Sequence, residues 1–161
     1  MWWNVSEKGN SIHGIYSWGS IHTLISIGQS GKYQAGNYTI DGGNIAGKCI
    51  RLFDIQEAGW YPTSISNIFS ESIATVGSIR SGDSNNQIPT KISNSIFHFA
   101  PVSEAGTQKL LYCNSTFIKF EDCLFRYYGN NDPLVMEGWA TFENCSFSGP
   151  IVNVYNGFVI K

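Results

Sequence analysis

The sequence predicts an all-β fold in which short parallel strands stack as a solenoid, a parallel β-helix of about five coils of 22–28 residues. Three observations predict it. First, one pattern is spelled four times: "TSISNIFSES" at 63–72, "TKISNSIFHF" at 90–99, "FIKFEDCLFRY" at 117–127 and "ATFENCSFSG" at 140–149. Second, the unit is shorter than the roughly 30 residues that a strand-helix-strand crossover needs. Third, 17 Gly, abundant Ser and Asn and many β-branched residues disfavour helices throughout.

The repeats align on an Asn or Asp. Asn67, Asn94, Asp122 and Asn144 follow one another at intervals of 27, 28 and 22 residues. Two positions earlier stands an apolar residue in every copy: Ile65, Ile92, Phe120 and Phe142. Three positions later come Phe97, Phe125 and Phe147, whereas Phe69 in the first copy follows by two and implies a one-residue slip. Coils stacked about 4.8 Å apart would place equivalent letters over one another. The Asn/Asp side chain is then expected to turn inward, hydrogen-bond along the stack and satisfy backbone groups at the bend, which makes an acidic member, Asp122, costly unless hydrogen-bonded or protonated.

The remaining elements follow in order. "SIHGIYSWGSIHTLISIG" at 11–28 alternates well enough to be strand, so residues 1–37 read as a strand-rich opening segment or a first coil. "GNYTIDGGNIAGKCIRLFDIQ" at 36–56 supplies a coil whose anchor is expected at Asp41, although Thr39 then breaks the apolar rule. Residues 38–161 carry the repeated coils, and 1–161 read as one domain. The tail "IVNVYNGFVIK" and the opening Trp2 and Trp3 are apolar and uncapped. A solenoid end of that kind belongs to a longer helix or is covered by sister subunits.

Composition excludes several partners. Only 14% of residues are charged, against a usual quarter, and the net charge is −2. The few Lys and Arg are scattered, which gives no basis for nucleic-acid or anionic-membrane binding. No apolar run approaches the ~18 residues of a spanning helix, and "MWWNVSEKGN" lacks the basic and apolar regions of a signal peptide. Cys49, Cys113, Cys123 and Cys145 form no CxxC pair, and His13, His22 and His98 are scattered, so no zinc site or cofactor is implied. Sequons at Asn4, Asn37, Asn114 and Asn144 are no more than this composition produces.

Alternation nominates the outward positions. One column holds Ser66, Ser93, Glu121 and Glu143; beside it run Ser64, Lys91, Lys119 and Thr141. Glu121 and Glu143 would project from adjacent coils near the ~5 Å spacing of a retaining glycosidase pair, or hold a cation such as Ca²⁺. The plainer expectation is a surface charge cluster in which Lys119 relieves their repulsion. A second column of Ser70, His98, Arg126 and Ser148 offers a His and an Arg for an acidic sugar or for proton transfer, or simply a solvated face. Cys123 and Cys145 share a repeat position and read as a buried thiol ladder in preference to a disulfide. Phe97, Phe99, Phe125, Tyr127 and Phe147 read as core. Loops bring Trp60, Tyr61, Asp83, Tyr128, Asp132 and Trp139 near the surface, where aromatic faces beside polar groups suit sugars, or merely lid the coil.

The segments "YTIDGGNI", "ISNSIF", "FEDCLF" and "FENCSF" resemble coils of the right-handed parallel β-helix superfamily, the pectin-lyase-like proteins. The resemblance covers about three quarters of the chain. It implies a right-handed helix and, closest in character, a domain of a phage tailspike, a tail fibre or a bacterial surface adhesin. The implied partners are cell-surface polysaccharide and sister subunits of a homotrimer, at a virion or cell surface. A polysaccharide lyase or glycoside hydrolase using Glu121 and Glu143 is the alternative. The Asn-Thr-Asp, Asp-Asp, Gly-His-Gly and Arg-Ile-Lys segments of polygalacturonases are absent, as are pectate-lyase signatures, so the resemblance favours a non-enzymatic module.

Overall fold

The computed structural model describes residues 2–3, 10–27, 38–58, 63–81, 90–100, 109–114, 118–128, 134–138, 140–149, 151–153 and 158–161. Among them there is no helix. The strands are β1 (Trp2–Trp3), β2 (Asn10–Trp18), β3 (Ile21–Ile27), β4 (Tyr38–Ala58), β5 (Ser64–Ser81), β6 (Thr90–Ser93), β7 (Ile96–Phe99) and β8 (Lys109–Asn114). They continue with β9 (Ile118–Glu121), β10 (Leu124–Tyr127), β11 (Leu134–Glu137), β12 (Ala140–Glu143), β13 (Ser146–Phe147), β14 (Ile151–Asn153) and β15 (Phe158–Ile160). All described pairings are parallel, and they join the strands into one 15-stranded sheet. The sheet curls through about 270° around the core.

The predicted columns exist. Ile65 pairs with Ile92, Ile92 with Phe120, and Phe120 with Phe142, in unbroken register. Their side chains are fully buried. Phe120 and Phe142 stack at 5.0 Å between ring centroids, 5° from parallel. Phe125 stacks on Phe147 at 4.8 Å and on Phe97 at 5.4 Å. The two ladders meet edge-to-face, Phe120 against Phe125 at 5.2 Å and Phe142 against Phe147 at 5.2 Å. Aromatic pairs in these arrangements add about 0.5–1.5 kcal/mol each beyond the area they bury. Phe99 is also buried, while Tyr127 and Phe147 pack at the margin of the core.

Each anchor is a corner. Asn67, Asn94, Asp122 and Asn144 have φ of 57°, 50°, 54° and 53°. Asn and Asp are the residues other than Gly that tolerate this left-handed conformation. Their side chains are exposed, contrary to the inward orientation the repeat suggested. The anchor side chain is not what satisfies the bend: Asn94 N–H donates to Glu121 O at 3.1 Å and Asp122 N–H to Glu143 O at 3.0 Å in the neighbouring layer, while Ile68 N–H, after the Asn67 corner, donates to Ser95 Oγ at 3.1 Å. Asp122 therefore carries no burial cost.

The corner column extends further upstream than the repeat suggested, and it shifts the first anchor. Ile40 pairs with Ile65 and Asp41 with Ser66, so the corner of β4 is Gly42, at φ 76°, and not Asp41. Gly14, at φ 65°, occupies the corner of β2, because His13 pairs with Asp41 and Ile15 with Gly43. With Gly42 as anchor, the apolar residue two positions earlier is Ile40, and the exception at Thr39 disappears. Both β2 and β3 pair with β4, so residues 10–27 form a layer like the others.

The aromatic slip resolves differently as well. Ser70, not Phe69, pairs with Phe97 and is fully buried, its hydroxyl donating to Ile96 O at 3.4 Å. Phe69 points outward. The first copy lacks a Phe in that column and keeps its register.

Candidate functional site

The corners divide the outer surface into two faces. Before the corners one column holds His13, Asp41, Ser66, Glu121 and Glu143, with Lys91 and Lys119 beside them; Ser93, which sits in the same column between Ser66 and Glu121, is buried and not outward as the repeat suggested. After the corners the outward residues are mixed, and several are aromatic or amphipathic: Tyr16, Trp18, Phe69, His98 and, past the end of β10, Tyr128, in columns that also hold Asn44, Ile96, Leu124 and Arg126.

On the first face, Glu121 and Glu143 are register partners, as the repeat predicted. Lys91 pairs in register with Lys119. Lys119 Nζ lies 2.7 Å from Glu143 Oε2 and 3.8 Å from Glu121 Oε1, and Lys91 Nζ is bonded to Glu121 Oε2. Two cations and two anions thus alternate diagonally across three strands. Lys91 holds the Glu121 carboxyl below its ordinary range, aided by the charge of Lys119. Lys119 is raised in turn, chiefly by its bond to Glu143. Glu121 is accordingly ionised, the state of a nucleophile or base, whereas a general acid needs a raised carboxyl. Sequence reasoning placed Lys91 in the right column without assigning it to Glu121. Adjacent strands bring such diagonal positions within reach of a long side chain.

Higher on the same face, Asp41 Oδ1 accepts hydrogen bonds from Ser66 Oγ and Asn67 Nδ2, both at 2.7 Å. Its other oxygen lies 3.8 Å from His13 Nδ1. The two donors hold Asp41 below its usual range, Ser66 contributing most. Because Ser66 donates directly to the carboxylate and not to the imidazole, this is no nucleophile-base relay.

The second face gathers three of the predicted ligand residues. His98 and Arg126 are register partners. The His98 ring stands edge-on to Tyr128 at 5.5 Å and to Phe69 at 5.4 Å. Burial, followed by the charge of Arg126, lowers the His98 pKa, and Glu71 partly offsets this. Tyr128 is 54% exposed. The result is a strip of Phe69, His98 and Tyr128 with Arg126 and Glu71 close to His98. In the second predicted column Ser70 is misplaced, since it points into the core. Farther along this face Tyr16 is 65% and Trp18 80% exposed.

Phe69 and Glu71 escaped sequence reasoning because the apparent slip hid which residue of "IFSES" faces outward. Tyr16 and Trp18 escaped because the opening segment carried no anchor letter. Trp60, Tyr61, Asp83, Asp132 and Trp139 lie outside the described residues.

Comparison with protein-family models, curated proteins and solved structures finds no match. The candidate site is therefore argued from its own geometry. Among the described residues no group of three or more His, Cys, Asp or Glu could hold a metal ion, and no helix is long and apolar enough to cross a membrane.

In three successive layers the inward position after the corner carries a hydroxyl or a thiol. Ser95 Oγ donates to Ser93 O at 2.8 Å, Cys123 Sγ to Glu121 O at 3.3 Å, and Cys145 Sγ to Glu143 O at 3.4 Å. Each hydroxyl or thiol bridges its corner by bonding two residues back. Cys49, Cys123 and Cys145 are free thiols.

Proposed function

We propose that the curled parallel sheet is a right-handed β-helix of the pectin-lyase-like kind. On this reading it is a non-enzymatic module of a phage tailspike, tail fibre or bacterial surface adhesin that binds cell-surface polysaccharide. Parallel strands joined within one sheet cross over right-handedly in nearly all proteins, which supports the handedness. Low charge and apolar outward residues agree with a trimer of such rods at a virion or cell surface.

The observation that carries the binding reading is the strip around Tyr128. A pyranose presents an apolar C–H face and a rim of hydroxyls, which an exposed ring with charged neighbours matches. The ring of Tyr128 is braced by His98, and His98 by Phe69, so little side-chain freedom remains to be lost on binding. Arg126 and Glu71 offer a donor and an acceptor to the hydroxyl rim.

The second reading is a polysaccharide lyase or glycoside hydrolase. One observation favours it: Glu121 and Glu143 are aligned on neighbouring strands, about 4.8 Å apart by strand spacing. Their engagement by Lys91 and Lys119 ranks it behind the first.

Retention of capsular and O-antigen polysaccharides, measured with the wild-type chain, Tyr128→Ala and Glu121→Gln, tests both readings. The binding reading expects an intact glycan and roughly tenfold weaker retention for Tyr128→Ala. Newly formed reducing or unsaturated ends that disappear in Glu121→Gln would establish the enzyme instead. Wild-type retention of no glycan, or unchanged retention by Tyr128→Ala, would overturn the binding reading.

A further inference from the structure

The cysteine column is not explained by corner bridging alone. Ser95 performs the same bridge one layer earlier with a hydroxyl, and at a shorter distance. Ile68 and Gly43 hold the equivalent position in the layers before it with no such group, as the register shows. The bridge therefore does not require sulfur. Yet the chain places sulfur there in two successive layers: Leu124 pairs with Ser146, which sets Cys123 beside Cys145. The two layers are further tied by Ser146 N–H donating to Cys123 O at 2.9 Å. Each thiol donates to a carbonyl of its own layer, Cys123 Sγ to Glu121 O at 3.3 Å and Cys145 Sγ to Glu143 O at 3.4 Å, which leaves the two sulfurs side by side.

From this juxtaposition we infer that Cys123 and Cys145 are a modification site: a thiol pair that a low-molecular-weight disulfide oxidises to a covalent staple between adjacent layers of the sheet. Neighbouring parallel strands hold paired Cα atoms about 4.8 Å apart, inside the roughly 4.4–6.8 Å window of disulfides. The two residues differ in access. Cys145 is half-buried and can meet a reagent, whereas Cys123 is buried behind it.

The step proceeds by thiol-disulfide exchange. The Cys145 thiolate attacks one sulfur of the reagent RSSR, whose S–S bond breaks, and RS⁻ leaves and takes a proton from water. This gives a mixed disulfide at Cys145. Cys123 then attacks Cys145 Sγ, the Cys145–SR bond breaks, and the departing RS⁻ takes up the Cys123 proton and leaves as RSH. Two protein thiols lose two electrons and two protons, and RSSR becomes two RSH. The neighbouring sulfur supports this order of events, since it lowers Cys145 to about 7 while, together with burial, it raises Cys123. Cys49 offers a contrast, being buried with its thiol pushed up to about 11 and donating to Arg51 O at 3.1 Å. The site stands independently of the glycan reading. A chain folded with reduced thiols would acquire the staple on reaching an oxidising environment.

The experiment exposes the native, reduced chain to excess oxidised glutathione, quenches with an alkylating reagent, and maps peptides by mass spectrometry. The expected result is a Cys123–Cys145 linked peptide lighter by two hydrogens, with Cys49 alkylated only after unfolding. Cys123→Ser should stall at the mixed disulfide on Cys145, and Ser95 shows that this position accepts a hydroxyl. The oxidised wild-type chain should melt several degrees higher than the reduced chain, a gain absent in Cys145→Ser. The inference is overturned if wild type stalls at glutathionylated Cys145, if both thiols survive unreacted, or if the link forms through Cys49 or Cys113.

Discussion

At the scale of single residues, the corner decides most of what the chain can tolerate. A left-handed φ costs an ordinary L-residue about 1–2 kcal/mol. Asn94→Ala should therefore lower stability by about 1 kcal/mol, whereas Asn94→Gly should stay close to wild type, both read by urea unfolding. An equal loss in the two variants would mean that the Asn94 side chain, and not its backbone, matters. Gly77 is held more tightly. Its φ is 146°, and a Cβ there would sit 2.0 Å from Phe53 O, an atom of the adjacent strand's backbone that cannot yield. Gly77→Ala should cost about 3 kcal/mol, comparable to other strained or overpacked core positions.

At the scale of elements, paired strands carry two kinds of ladder with different strengths. The aromatic ladder is buried, and Phe142 contacts Phe120, Phe125 and Phe147 at once. Phe142→Ala should cost about 3–5 kcal/mol in chemical denaturation. The charge ladder of Lys91, Glu121, Lys119 and Glu143 is open to water and screened, so its contribution shows mainly in pH dependence. Glu121 has a folded pKa below its ordinary 4.5, so folding favours its ionised form. That stabilisation is present above pH 4.5 and fades as pH falls through the lowered value. Lys119 has a folded pKa above its ordinary 10.5, so its stabilisation is present below pH 10.5 and fades as pH rises through the raised value. The difference in Tm between wild type and Glu121→Gln should accordingly shrink in acid. A difference that stays constant from neutral pH to below the lowered value would show that Glu121 is not ion-paired in solution.

At the scale of the whole molecule, the corners separate two outward faces of one curled sheet. If the aromatic face carries binding of an uncharged glycan, added salt should change affinity little, because stacking and the hydrogen bonds of Arg126 and Glu71 with neutral hydroxyls are weakly screened. A steep loss of affinity with salt would move the site to the Lys91–Glu143 face. With the staple closed between Cys123 and Cys145, the chain-entropy account gives about 3 kcal/mol for a loop of this length. That gain exceeds any single pairing on the outer surface and should appear as a higher urea midpoint of the oxidised form.

The parallel stacking was legible in the letters alone. Isoleucine or phenylalanine two places before each Asn or Asp has to recur at one depth if the strands lie in register, and Phe120 over Phe142 does so. Glu121 beside Glu143 followed from the same count. Which way Asn67, Asn94, Asp122 and Asn144 point did not, because a residue with positive φ breaks strand alternation and sends its side chain out of the bend. That Gly14 and Gly42 belong to the same column was hidden for a related reason: glycine reaches the left-handed region without any shared letter to reveal it. The pairing of Lys91 with Glu121, the outward turn of Phe69 and the bracing of Tyr128 by His98 belong to the tertiary structure. They depend on diagonal contacts between layers, whose partners are chosen by register and side-chain reach, and a linear repeat specifies only what lies directly above.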